Sequence, residues 1–386
     1  MNQDRDLKVD EFSQFEQFSE IQKEWDELVL RENLGLAHQF DWLRTLQQIH
    51  GQEKTTILLV RRDGRLAGCA PLVLRHERRN GVDATVLQPL NAFHQLRGTQ
   101  FVLANAEKNI FEALVESSMH WRHERWDLWF MYFQDGEKQA QFFEEALSQR
   151  GIRFSKSLVT RSPYLPLEGS WEDNLKRLQP RFRTSLRSRE RKIREKGSLE
   201  YRRFNGESEW RDGLDAIQEI ESDSWKVRDG IPITHAIQWS FYNEFARIAA
   251  LNGSLRLSVL YLNTEPLAYD FGIYSAGVYY LLKTSFKESR QTDYPGFVLR
   301  KFVIEELYQQ GAKEIDFGGK EEEWKMKWTD LVRPQVLYTA YSNSLVGRYL
   351  SAWNRAGELV RTLKRTRERA RSKFPELILS RRLRTS

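Results

Sequence analysis

"DYPGFVLRKFVIEEL" runs from Asp293 to Leu307, and "VYYLLKTSF", Val278 to Phe286, lies just before it. The earlier stretch has the β-branched and aromatic content of a strand; the later one carries apolar residues at helical spacing behind a Pro-Gly pair. A strand that delivers the chain to a glycine in the first turn of a helix is a place where main-chain N–H groups face an anion. Glycine lets the anion approach the backbone, and the helix dipole adds about half a positive charge. Proline is also favoured in a first helical turn for its own sake, so the same residues serve simply to start a helix.

Working outward, the pattern around this stretch is α/β. Three closely spaced strands are predicted at "SLRLSVLYLN", "EPLAYDFGIYS" and "VYYLLKTSF". The helix follows, then a short strand in "AKEIDFGG", a short helix at "EEEWKMKW" and a last strand at "RPQVLYTAYS". A similar order occurs earlier: helices, strands at "KTTILLVRRDG", "RLAGCAPLVLRH" and "DATVLQPL", a helix, the strand "WDLWFMYF", a helix, and the strand "IRFSKSLVT". Asp63-Gly64 marks a hairpin turn in the first set. "RSPYLPLEGS", with two prolines, reads as a boundary between the sets. Beyond it "SWEDNLKRLQPRFRTSLRSRERKIREKG" is a basic helix with Ser170 as N-cap and an interruption at Pro180.

Composition restricts the function. Hydrophobic residues are 40% and charged residues 30% of 386, which suits globular domains with sizeable cores. The N-terminus lacks the apolar core of a signal peptide, no run is long enough for a membrane span, and the single cysteine, Cys69, has no partner within the chain. A reducing cytoplasm is expected, with a peripheral place at the inner membrane face as a variant. The net charge of +6 conceals an asymmetry. Lys176–Arg203 carries twelve Lys/Arg against three Glu, and Arg361–Ser386 ten against two, so the rest of the chain is acidic. The two basic segments suit anionic surfaces or RNA. No stable DNA complex is expected. No phosphate loop of the GxxxxGK[ST] type, no dinucleotide GxGxxG and no GxSxG elbow is present. His120 and His123, in "HWRH", have no further ligand at metal spacing, so no metal is expected.

Taken in order, "SDSWKVRDG", "PLAYDFGIY", "DYPGFVLRKFVIEEL" and "GAKEIDFGGKEEEWKMKW" resemble the acetyltransferase domain of the CelD (cellulose biosynthesis), BioF2-like group. That group is a branch of the GCN5-related (GNAT) acyltransferases allied to the Fem peptidyltransferases, which carry two such folds in tandem. The resemblance spans Ser170–Tyr341. It implies two tandem GNAT-like (acyl-CoA N-acyltransferase) folds, each a mixed twisted sheet flanked by helices. Residues 1–165 would be a non-catalytic copy, 166–344 the catalytic copy, and 345–386 a basic amphipathic helical tail.

The resemblance also implies an acyl-CoA, such as acetyl-CoA, as co-substrate and an amine or hydroxyl on a sugar or peptide precursor as acceptor, in envelope or exopolysaccharide synthesis. The pyrophosphate would sit at Pro295, Gly296 and Phe297. Aligned on Gly296, the outer positions hold Asp293 and Val298 where acetyl-CoA users commonly carry Arg or Gln and Gly or Ala. Arg290 and Arg300 flank the turn and would supply the charge. Asp316 is a candidate base or turn cap, Lys325 a cation for the developing oxyanion or a solvated lysine, and Asp270 a second base that its apolar strand obliges to pair or face a cavity. Tyr279 and Tyr280 must face opposite sides of a strand, and Tyr280 is taken as the proton donor to the leaving thiolate. Trp225 and Lys226 are placed on the acceptor side. An aminoacyl-tRNA donor of the Fem kind, or a non-catalytic protein binding membrane or nucleic acid, are the alternatives.

Overall fold

The computed structural model describes residues 7–49, 54–90, 101–104, 107–119, 125–230 and 232–373; His120 and His123 lie outside them. Thirteen strands form one mixed sheet: β1 (Leu7–Phe12), β2 (Lys54–Arg62), β3 (Arg65–Arg79), β4 (Val82–Pro89), β5 (Val102–Leu103), β6 (Leu128–Gln134), β7 (Arg153–Pro166), β8 (Leu199–Arg203), β9 (Leu255–Leu262), β10 (Glu265–Ser275), β11 (Val278–Phe286), β12 (Glu314–Asp316) and β13 (Val332–Tyr341). Their spatial order is β1-β2-β3-β4-β6-β13-β7-β12-β11-β10-β9-β8, with β5 beside β3.

The order repeats itself inward from both edges. β1 to β4 are an antiparallel run and β4 pairs in parallel with β6; β8 to β11 are another, and β11 pairs in parallel with β12. Only the long last strands break the partition. β7, from the first half, pairs with β12 of the second, while β13, from the second, pairs with β6 of the first. β7 and β13 pair with each other at the centre. The two halves thus exchange strands. "RSPYLP" of the proline-rich segment is the end of β7, not a connection. Pro163 is tolerated there because it sits where β7 passes from β13 to β12, opposite Val332 and just before Tyr164 pairs with Asp316.

Local chemistry explains the punctuation. Asp63 and Gly64 both take positive φ, 50° and 77°, as a two-residue hairpin turn requires. Ser170 caps its helix by accepting from the Asp173 N–H at 3.1 Å. Pro180 splits the basic helix into Trp171–Arg177 and Pro180–Arg194, standing at the start of the second.

Helices cover both faces of the second half. Pro180–Arg194 and Pro295–Gln309 pack on one face, where Phe182, Leu186, Ile193, Val298, Val303 and Ile304 share a core. Trp210–Ser222 and Ala236–Leu251 pack on the other, with Ile217, Tyr242, Phe245, Tyr269 and Phe271. On the first of these faces the Tyr279 ring lies over Gly272. A Cβ at Gly272 would come within 2.3 Å of ring atoms. Gly272→Ala is expected to cost about 1–3 kcal/mol, read as a lower urea midpoint with an unchanged slope.

Candidate active site

The parallel pairing of β11 and β12 covers only Val278↔Glu314, Tyr279↔Ile315 and Tyr280↔Asp316. Past Tyr280, β11 continues to Phe286, whereas β12 ends and Gly318 and Gly319 turn the chain with φ of 60° and 58°. The two strands therefore part at Tyr280 and Asp316. The helix that begins at Pro295 stands beyond the far end of β11.

Its N-terminus carries no side-chain cap. Tyr294 takes the left-handed conformation (φ 54°) and makes no side-chain capping bond, and the Phe297 N–H reaches only back to the Tyr294 carbonyl, at 3.1 Å. Gly296 faces open space except for Phe286, 3.7 Å from where a Cβ would stand. Asp293 is buried and ion-paired with Lys196, so its charge is offset. Arg290 is drawn aside to Glu265. The cation over the turn is instead Arg189 of the basic helix, 3.9 Å from the Tyr294 ring centroid and 4.8 Å from that of Phe297; burial lowers its pKa.

At the parting of the strands, the Asp316 carboxylate accepts the Gly318 N–H at 2.8 Å. Lys325 donates to the carbonyls of Gly318 (2.8 Å) and Lys320 (3.3 Å) and pairs with Glu322 at 2.9 Å. Both groups therefore hold the same glycine turn, and all three ammonium donors of Lys325 are engaged. Burial lowers the Lys325 pKa, against the pull of Glu322 and Asp316.

Asp270 and Arg300 meet each other. They pair at 2.6 Å beneath the Pro295 helix, with side chains 0% and 2% exposed. Burial raises the Asp270 carboxyl, and Arg300 opposes that. The guanidinium also lies 5.4 Å from the Trp324 ring centroid. Arg300 Nε and Nη1 and Asp270 Oδ2 have no hydrogen-bond partner among the described residues.

Tyr280 lies on the opposite face, where it packs against Gly35 of the first half. It lines a cavity of about 730 Å³ between the halves, together with His38, Asp135, Tyr164, Glu314 and Arg333. Arg333 makes a two-pronged pair with Glu314, at 2.8 and 2.6 Å, and stacks 3.4 Å from the centroid of the Tyr164 ring. Trp225 and Lys226 open a one-turn helix on this face. The Lys226 ammonium bonds the Thr284 carbonyl (2.6 Å) and Glu221 (3.1 Å). Burial lowers the Lys226 pKa, with Glu221 opposing.

Two residues of this face escape sequence reasoning. Glu221 is fully buried and also accepts from the Tyr269 hydroxyl at 2.5 Å. Lys283 reaches Gln238 at 3.3 Å and lies 5.7 Å from the Tyr242 ring centroid. Burial pushes Lys283 down to about 8, helped by the nearby Lys226 charge. Strict alternation from Tyr280 would send Lys283 to the other face. A β-bulge at Leu282 shifts the register and brings Lys283 opposite Phe271, on the Tyr280 side. The signal in the sequence was a lysine inside an apolar strand.

A mixed sheet with a parallel strand pair and flanking helices is the GNAT architecture, here in two tandem copies; the second carries the parting of the strands beside an uncapped helix start. The sequence profile of the acetyltransferase (GNAT) domain matches residues 180–326, which hold that opening. No curated protein matches the chain in sequence. Among solved structures, FemX superposes with a TM-score of 0.60 at 15% identity, over 86% of this chain and 98% of that one. A tandem GNAT protein from the clavulanic acid biosynthesis pathway, solved without acetyl-CoA, gives 0.50 at 12% identity, over 88% and 99%. At such identities the likeness is one of fold. No groups of three or more His, Cys, Asp or Glu suited to a metal ion occur among the described residues.

Proposed function

We propose that this protein is an acyl-CoA-dependent acyltransferase whose second half, residues 166–344, carries the reaction. The first half, 1–165, supplies one wall of the acceptor crevice. The observation that supports this most is the conjunction of the β11/β12 parting with the uncapped turn at Pro295, Gly296 and Phe297, inside the segment that matches the GNAT domain. In this reading the pyrophosphate of the donor rests on the Gly296 amide beside Arg189, and its thioester reaches Tyr280 and Asp316.

The acceptor approaches on the Tyr280 face. Lys283, in its neutral form, takes the proton of the acceptor amine or hydroxyl. The freed lone pair attacks the thioester carbonyl carbon, the C–S bond breaks, and the thiolate takes a proton from Tyr280. Lys226, held charged by Glu221, keeps the Lys283 pKa low. Asp316 and Lys325 act by fixing the turn that closes the strand gap. The acceptor class, a sugar or peptide precursor of envelope or exopolysaccharide synthesis, follows from the CelD-like sequence alone.

Thermal unfolding with acetyl-CoA tests the donor. At about a hundredfold excess over Kd, ligand stabilises the fold by about 2.7 kcal/mol. Gly296→Ala is expected to leave unliganded stability unchanged or up to about 1 kcal/mol higher, because Gly296 is helical and a methyl there meets no protein atom closer than 3.7 Å, yet to weaken acetyl-CoA affinity about tenfold, which at the same ligand concentration lowers the stabilisation by about 1.4 kcal/mol. The basic helix beside the turn favours a second reading, an aminoacyl-tRNA donor. Stabilisation by aminoacyl-tRNA but not by acetyl-CoA would establish that reading. If neither ligand shifts the midpoint, both readings fail and a non-catalytic binding protein remains.

A further inference from the structure

The helix Leu345–Lys373 has two unlike sides. One is seated on the sheet through Leu350, which is buried among Ala84, Val86, Leu128, Phe130 and Tyr341. The other presents Leu345, Tyr349, Trp353 and Val360 at helical spacing, exposed by 86%, 40%, 55% and 52%, with Leu359 beside them at 65%. The Tyr349 and Trp353 rings lie 6.2 Å apart, and the Tyr349 hydroxyl donates to the Asn80 carbonyl at the β3–β4 turn. Single exposed apolar residues are ordinary, but a continuous stripe away from the body is not. In the sequence Arg361–Ser386 carries ten Lys/Arg against two Glu.

We propose that this helix lies in the surface of an anionic phospholipid bilayer and holds the protein there peripherally. The stripe supplies apolar area and interfacial aromatic rings; the basic residues supply attraction to lipid phosphate. No helix among the described residues is long and apolar enough to cross a membrane, so the helix lies along the surface rather than through it. RNA is the lesser fit. Phosphodiester contacts would use the arginines, but Leu345, Leu359 and Val360 offer nothing to a nucleic-acid backbone.

Flotation of the full chain with phosphatidylcholine vesicles, with and without phosphatidylglycerol, tests this. The protein should float with the anionic vesicles and not the neutral ones, and added salt should release it. The triple variant Leu345→Ser, Trp353→Ser, Val360→Ser should lose at least about tenfold in vesicle partitioning. Its thermal midpoint should be unchanged, because all three side chains are exposed. The proposal is overturned if the chain fails to float with anionic vesicles, if it floats equally with neutral ones, or if the variant floats as the parent does. Retardation of RNA in a gel without flotation would instead indicate nucleic acid as the partner.

Discussion

Replacing Arg300 with methionine is expected to cost the fold about 3–5 kcal/mol, measured by urea unfolding. Arg300 and Asp270 are both withdrawn from solvent, and each is the other's counter-charge. Removing the cation leaves a carboxylate in an apolar setting between Tyr279 and the Pro295 helix. Part of the cost is avoided as that carboxyl takes up a proton, in the direction burial already drives it. The double variant Asp270→Leu, Arg300→Met is expected to recover most of the loss, since an ion pair exchanged for apolar groups of similar volume is often neutral. This pair of variants also separates the roles read for these residues in the sequence. A double variant that folds well and still takes acetyl-CoA makes the pair structural. One that folds well but no longer binds donor assigns Arg300 to the donor phosphates.

Lys283→Met is expected to lower kcat by about 10²-fold or more, the usual scale for loss of a positioned base. The parent kcat/KM should climb with pH and level off near 8, where the Lys283 amine becomes neutral, and the variant should lack that limb. Stability carries a matching signature. The folded-state pKa, about 8, lies below the 10.5 of a free lysine. Between these values the unfolded chain binds a proton that the folded chain does not, so stability rises with pH across that window. Below pH 8 both states are protonated and the cost of the buried charge is constant. Lys283→Met should abolish the rise. Lys283→Arg, which cannot deprotonate, should be as inactive as the methionine variant. A pH profile unchanged in either variant would remove Lys283 from the reaction.

Much of the architecture follows from local pattern. The Pro-Gly helix start, the three-strand runs and the short strand at Glu314–Asp316 are all set by residue spacing, turn chemistry and capping. The recurrence of that order predicts two copies of one fold, and the sheet shows them. Strand partners are another matter. Nothing local in "IRFSKSLVTRSPYLP" states that it pairs with residues 332–341 and 314–316 of the other half, because pairing is decided by the whole sheet. The prolines suggested a linker for the same reason: Pro163 is acceptable in a strand only at the place where one partner gives way to the next.

The site divides in the same way. Asp316 and Lys325 meet at one turn, nine residues apart in the sequence and joined by local geometry. The inward aim of Arg300 was partly legible, since it shares a stripe with Val303, Ile304 and Leu307. Lys283 was not, because a one-residue bulge reverses every later side chain.

The crossed placement of β7 and β13 has a consequence for biosynthesis. When the first 166 residues have left the ribosome, β6 has no neighbour on its inner side, and it gains one only when residues 332–341 emerge. For that interval the nascent chain carries an open hydrogen-bonding edge. The closing step joins segments just over two hundred positions apart, which makes it slow and leaves the partly made protein dependent on shielding from its neighbours. Cutting the gene between the copies would therefore yield two fragments, each missing the ribbon that completes it, which become whole only by finding one another.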